Sequence, residues 1–353
     1  MTIDPLEGHA DEGDGAVTPG TDDVEPVRDD FFPNPTAGMV LHRVLATASR
    51  TFLLNDLGDD LAGGDGREGT IDALTLSMGT RPLWAQSAAA SLDGTGRRTD
   101  RTERIHQSRV AMRRIRSNLR TFRLLLDPAW GTALRAELAW YGNALGHSRD
   151  LDLLTALVAE RGPEVLDHAE LARLGAVIGW RRQEVERELT GEQATPRRVQ
   201  LTQQMMILWE GPAFKAKAAR PASEVLPAML HRSWRDLRGA ARTARKDPSD
   251  RHLHQLRIRL KDLRYGAETV ALVEGPPARK TARAAERLQS KLGDVHDVVS
   301  SVAWFEALAA EQPELADAAE RMVTMQRDRG AEARKGWKKD LKEVEKRWRR
   351  WQG

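Results

Sequence analysis

The sequence predicts an all-α protein, and three observations carry that prediction. From Ala37 onward, apolar residues recur at helical spacing between Gly and Pro signals. No run alternates β-branched and polar residues as a half-buried strand would. One amphipathic segment also occurs twice: His106-Gln107-Ser108-Arg109-Val110 through Arg113 and Arg116, and His254-Gln255-Leu256-Arg257-Ile258 through Lys261 and Arg264, 148 residues later.

The expected helices follow in order. Residues 38–55 open the helical region, and 104–126 runs to the Asp127-Pro128 stop. Helices over 131–147 and 149–160 are parted at a Leu145-Gly146 turn and closed by Gly162-Pro163. Those over 165–190 and 197–210 lead to Gly211-Pro212, and 223–245 ends at Asp247-Pro248. The second amphipathic segment lies in 250–273, before Gly275-Pro276-Pro277. Helices over 277–293 and 296–310, parted at Leu292-Gly293, and a last one over 313–350 complete the chain.

Placed on a helix, Arg109, Arg113, Arg116, Arg120 and Arg123 fall within one arc of about 80°. Met112, Ile115, Leu119, Phe122 and Leu126 fall on the adjoining face, which should be the buried one. The second copy divides likewise, with Arg257, Lys261 and Arg264 basic and Leu256, Leu260, Leu263, Ala267 and Val270 apolar. The repeat reaches further. Leu41-His42-Arg43 resembles Leu230-His231-Arg232 upstream, and Leu145-Gly146-His147-Ser148-Arg149-Asp150 resembles Leu292-Gly293-Asp294-Val295-His296-Asp297 downstream. The first copy is longer between its markers, which places an insertion at about 57–100, rich in Gly, Asp, Ser and Thr, with one short helix near 69–78.

The net charge of +3 conceals a segregation. Residues 1–35 carry ten acids and one Arg, too polar to offset ordering entropy, and read as a disordered, solubilising acidic tail. The remainder is strongly basic, which favours nucleic acid, another polyanion or an anionic surface as partner. Without cysteine, disulfides and thiolate metal sites are excluded. No secretory h-region and no apolar run long enough for a membrane span is present, so a cytoplasmic location is expected.

The pattern His-x-x-Arg-Val-x-x-x-Arg-x-Ile-Arg, the later Leu-Gly-x-x-Arg-Asp-Leu-Asp and the degenerate second copy resemble the CHAD family, the conserved histidine α-helical domain. The resemblance covers about residues 36–350. It implies two helical bundles related by a pseudo-two-fold axis, with a first copy over 36–218 and a second over 222–353, and a basic surface that binds inorganic polyphosphate, in some members at polyphosphate granules. No CYTH domain accompanies it: Glu343-Val344-Glu345-Lys346-Arg347 lies in a helical stretch.

Polyphosphate presents tetrahedral anions and no bases, so its binder needs cations repeated along a line. Arginine supplies a fixed fork of donors for phosphate oxygens. Residues 104–123 hold seven Arg and no acid, and like charges at i,i+4 are unfavourable without a counter-ion. The expected contacts are His106, Arg109, Arg113, Arg116, Arg120, Arg123, His254, Arg257, Lys261 and Arg264, joined by Arg149, Lys291 and His296. The histidines could act as neutral donors or, beside phosphate, as cations. Arg43, Arg50 and Arg232, with Arg235 and Arg238, could form an opposite wall. Asp150 and Asp297 are expected to orient a stripe arginine or cap a helix. Arg114, off the arc, reads as structural, and the Trp-rich basic C-terminus reads as a packed helix with snorkelling cations.

No compact metal-ligand or nucleophile string appears, so a non-catalytic binder without cofactor or metal is expected. The alternatives are a metal-dependent phosphohydrolase using the histidines and aspartates, and a general nucleic-acid binder, the latter disfavoured because the stripes hold only Tyr265 for stacking.

Overall fold

The computed structural model describes residues 34–56 and 101–352. The acidic tail up to residue 33 and the insertion over 57–100, with its expected short helix, lie outside the described residues. All described residues belong to one unit.

Ten α-helices are described: α1 Ala37–Asp56, α2 Arg101–Thr121, α3 Pro128–Arg161, α4 His168–Gln193, α5 Pro196–Glu210, α6 Ala222–Lys246, α7 Asp250–Glu274, α8 Pro276–Glu311, α9 Ala316–Ala333 and α10 Trp337–Gln352. Among the described residues the only β-type pairings are isolated bridges, Thr36 with Pro221 and Leu126 with Phe214. The fold is all-α.

Local chemistry sets several boundaries. Asp127 caps α3 by accepting from the Trp130 amide, with Pro128 in the first turn. Asp167 and Glu170 form a reciprocal capping box on α4, and Thr195 caps α5 ahead of Pro196. Before α1, Pro35 and Ala37 exchange backbone hydrogen bonds with Ala222 and Arg220, which ties the entry of α1 to that of α6.

Both apolar faces are buried as their spacing predicts. Met112, Ile115, Leu119, Phe122 and Leu126 of the first segment, and Leu256, Leu260, Leu263, Ala267 and Val270 of the second, all lie in the core. α2 and α7 cross closely: a Cβ on Gly266 would meet Leu230 Cδ1 at 2.5 Å and Thr121 Cγ2 at 3.2 Å. The Thr269 hydroxyl donates to Asn118 Oδ1 at 2.7 Å across the same buried contact. A second core joins the C-terminal halves of α3 and α8 to α4 and α9 through Leu154, Ile178, Phe305 and Met322.

Three expectations require correction. The turns expected at Gly146 and Gly293 do not form: α3 and α8 run straight through both. Each glycine admits an arginine from the neighbouring helix, and neither carries positive φ. α2 stops at Thr121, so Arg123 sits in a 3₁₀ turn, Arg123–Leu125, off the helix that was to display it. The long C-terminal helix is broken at Pro313–Leu315 and again before Trp337, where Gly336 takes φ +80°.

In α10, Trp337 and Trp348 are buried, and Trp348 stacks on Trp234 with centroids 4.8 Å apart. Glu345 pairs with Arg245 at 2.9 Å, so the Glu-x-Glu string is part of helix packing.

Candidate functional site

The basic arcs of α2 and α7 come together in one cluster. Arg109, Arg113 and Arg116 of α2 all act electrostatically on Lys261 of α7, as does Arg257 one turn back on α7. Arg113 and Arg257 also repel each other's charge across the interface. None of Arg109, Arg113, Arg116, Arg257 and Lys261 forms an ion pair with a described carboxylate. Two flanking helices complete the walls: α3 supplies Arg149 and Asp150 beside Arg109, and α8 supplies His296, Asp294 and Asp297 beside Arg257.

Two arginines reach the cluster over glycine. A Cβ on Gly146 would stand 2.7 Å from Arg109 Nη1, and one on Gly293 would stand 3.6 Å from Arg257 Nη2. Asp150 and Asp297 therefore stand in mid-helix, one turn beyond those glycines, and cap nothing. Asp150 offsets the charge of Arg109, and Asp297 that of Arg257.

Burial and crowding shift the protonation of the whole group. Burial first, then Arg257, Arg113, Arg109 and Arg116, push the Lys261 amine down to about 7. Burial, followed by Arg257, His254 and Lys261, pushes His296 down to about 4. His254, 4.7 Å from His296 between ring centroids, is lowered by burial and then by Arg257 and Lys261. Its Nδ1 and the Nε of Arg257 are buried with no described hydrogen-bond partner. The free site thus holds His254 and His296 neutral. Burial raises Asp150, Asp294 and Asp297, against the pull of the neighbouring arginines.

Other expected contacts are committed elsewhere. Arg264, only 12% exposed, binds Glu268 at 2.9 Å and Glu286 at 2.5 Å. Arg120 pairs with the buried Asp262 at 2.9 Å, and Lys291 with Asp340 of α10 at 2.7 Å. Arg114, read as structural, bonds Glu268 at 2.9 Å and lies over the Tyr265 ring. His106 is half-buried one turn before Arg109. Arg43 and Arg50 stand on α1 and Arg232 on α6, while the residues acting most strongly on Arg109 and Arg257 from outside α2 and α7 belong to α3 and α8.

Arg135 of α3 was not anticipated. Together with Arg123, Arg120 and Arg116 it crowds around Asp262 at the far end of the α2 stripe, and its Nε is buried without a described partner.

Chemically, the arrangement offers a row of guanidiniums and one amine in a partly desolvated setting, with neutral imidazoles at one end. Such a site favours an anion with several oxygens. Among the described residues no three His, Asp or Glu side chains gather as a metal site, and no helix is long and apolar enough to cross a membrane.

Comparison with known proteins is consistent with this architecture. No curated protein matches the sequence significantly. The crystal structure of the CHAD domain from the plant Ricinus communis superposes with a TM-score of 0.64 at 20% identity, covering 89% of this chain and 93% of that one. PptA from Streptomyces chartreusis superposes with a TM-score of 0.57 at 21% identity, covering 89% of this chain and 99% of that one. These likenesses are of fold. The sequence model of the CHAD domain matches residues 85–306, well over half of the chain, and takes in both basic arcs and both Leu-Gly segments; the chain belongs to the CHAD domain family.

Proposed function

We propose that the chain is a non-catalytic module that binds inorganic polyphosphate in the cradle between α2 and α7. One observation carries the reading: Arg109, Arg113, Arg116, Arg257 and Lys261 converge from two helices with no described carboxylate paired to any of them. Clustered cations that are partly desolvated raise the energy of the free protein, and a bound polyanion removes that cost. The ligand would run along α2 past Arg116 toward Arg123 and Arg135, a path of about 20 Å at 1.5 Å per residue.

The two halves are read as copies of one unit. The parallel between Arg109 over Gly146 and Arg257 over Gly293 supports this, because it repeats a contact as well as a sequence. The copies have diverged: Arg264 and Glu268 close the second arc with ion pairs where the first stays open, so the grip is asymmetric. A cytoplasmic module of this kind would serve to hold the chain at polyphosphate granules.

The test measures binding of long-chain polyphosphate against single-stranded DNA of matched charge at physiological salt, with phosphate release followed in the presence and absence of Mg²⁺. Tight, polyphosphate-preferring binding without release is expected. Equal binding to both polymers would reduce the site to a general polyanion surface. Metal-dependent release would replace the module with a phosphohydrolase.

A further inference from the structure

Lys261 differs from every other cation of the cradle in what it can do. Its amine is half-buried on α7, facing Arg109, Arg113 and Arg116 of α2 and Arg257 of its own helix. His296 of α8 and His254 of α7 lie beside it, and Asp297 and Asp294 of α8 lie near Arg257. α1 and α6 also pack on α7, and the strongest charges acting on Lys261 come from α2 and from α7 itself. A guanidinium cannot shed its proton, so a cluster of this density loses charge at the amine or the imidazoles. At about 7 the Lys261 amine is substantially free base in neutral solution. A free amine is a nucleophile, and this one is surrounded by donors that fit a phosphate.

We propose that Lys261 is a modification site, acylated by small acyl phosphates whose phosphate the surrounding arginines seat. The inference rests on the reading of the cradle as a phosphate-binding site. In the reaction the Lys261 Nζ lone pair attacks the acyl carbonyl, and the N–C bond forms as the C–O bond to phosphate breaks. Inorganic phosphate departs with that electron pair, and the nitrogen releases one proton to solvent. No oxidant or metal is involved. The product is a neutral amide that can no longer take up a proton, so acylation denies a bound polyphosphate chain that cation and fills space the chain would occupy.

The full chain is incubated with acetyl phosphate at about pH 8, and acetylation of each lysine is followed by peptide mass spectrometry. Lys335, 71% exposed and paired with Glu332, serves as the internal reference. Lys261 is expected to react ~tenfold or more faster than Lys335, because seating the phosphate raises its effective concentration at the amine. With acetic anhydride, which carries no phosphate, that preference should shrink; an equal preference for Lys261 with both reagents would overturn the seating by arginines. Long-chain polyphosphate should protect Lys261 and leave Lys335 unaffected. If Lys261 reacts no faster than Lys335 in protein that binds polyphosphate, the inference is refuted and the cradle stands. If Lys261 reacts fast but polyphosphate neither binds nor protects, the modification site stands and the polyphosphate reading fails.

Discussion

Arg109 lies over Gly146 so closely that a methyl group there would come within 2.7 Å of its guanidinium. The atom in the way is the far end of a flexible side chain, so Gly146→Ala should be accommodated by swinging Arg109 aside. Alanine also favours the helix by about 1 kcal/mol over glycine. The expected variant is therefore as stable as the parent, or slightly more so, and binds polyphosphate less tightly. At Gly293 the same methyl would meet Arg257 at an ordinary 3.6 Å, so Gly293→Ala should gain stability without loss of affinity. Thermal melts and titration calorimetry on the two variants check the contrast; equal effects on affinity would remove Gly146 from the site.

Arg264 and the α2 stripe separate stability from binding. Arg264→Ala strips Glu286 of its ion pair and leaves Glu268 with Arg114 alone, and should destabilise the fold by about 1–3 kcal/mol, with only a modest effect on affinity. Replacing Arg109, Arg113 and Arg116 together by Ala removes three unpaired cations and should leave helicity intact while most affinity is lost. The remaining affinity should also depend less steeply on salt, because fewer counter-ions are released per binding event. Circular dichroism with binding measured at two salt concentrations distinguishes the two cases.

Arg198 lies over the rings of Phe52 and Tyr141, and its guanidinium pairs with Asp56, which also accepts from the Tyr141 hydroxyl at 2.7 Å. Both charged groups are almost fully buried. Arg198→Met should cost about 3–5 kcal/mol by leaving Asp56 a buried, uncompensated carboxylate, and Arg198→Met with Asp56→Leu should recover much of that loss. Denaturant unfolding of the single and double variants measures the recovery; a double variant no more stable than the single would show that the pair's worth lies elsewhere.

The buried faces were legible because periodicity alone carries them: each of the ten apolar positions assigned to the two amphipathic segments lies in the core. The basic arcs were legible for the same reason. Their counter-charges were not, since Asp262, Glu286 and Asp340 reach Arg120, Arg264 and Lys291 through tertiary packing that no local spacing encodes. The helix stops expected at Gly146 and Gly293 failed for a physical reason. A glycine in a helical pattern signals either an end or a close approach, and only the position of the neighbouring arginine decides between them. Gly336 presents the converse case, a glycine of positive φ in the turn between α9 and α10, inside a stretch whose charge and Trp content resembled one continuous helix.

Lys261 and His296 give the cradle a pH dependence whose sign can be worked out. Both are cations whose proton affinity falls on folding, to about 7 and to about 4. Their unfolded counterparts sit near 10.4 and 6.5, so between the folded and unfolded values the unfolded chain holds more protons. Stability of the free protein therefore rises with pH through both windows, and the penalty is complete only below the folded values. Buried Asp150, Asp294 and Asp297, raised by desolvation, act in the opposite sense at the acid end, so the clean window lies above about pH 7, where Lys261 alone of these groups titrates. A bound polyanion reverses the crowding and restores the proton to the amine. Binding should then take up protons, and affinity should fall by up to ~tenfold per pH unit for each proton as pH rises above about 7. Calorimetry in buffers of different ionisation enthalpy counts those protons directly. Lys261→Gln should lower the count by about one and flatten the rise of melting temperature with pH. Binding that takes up no protons above neutrality would mean that Lys261 keeps its charge in the free protein.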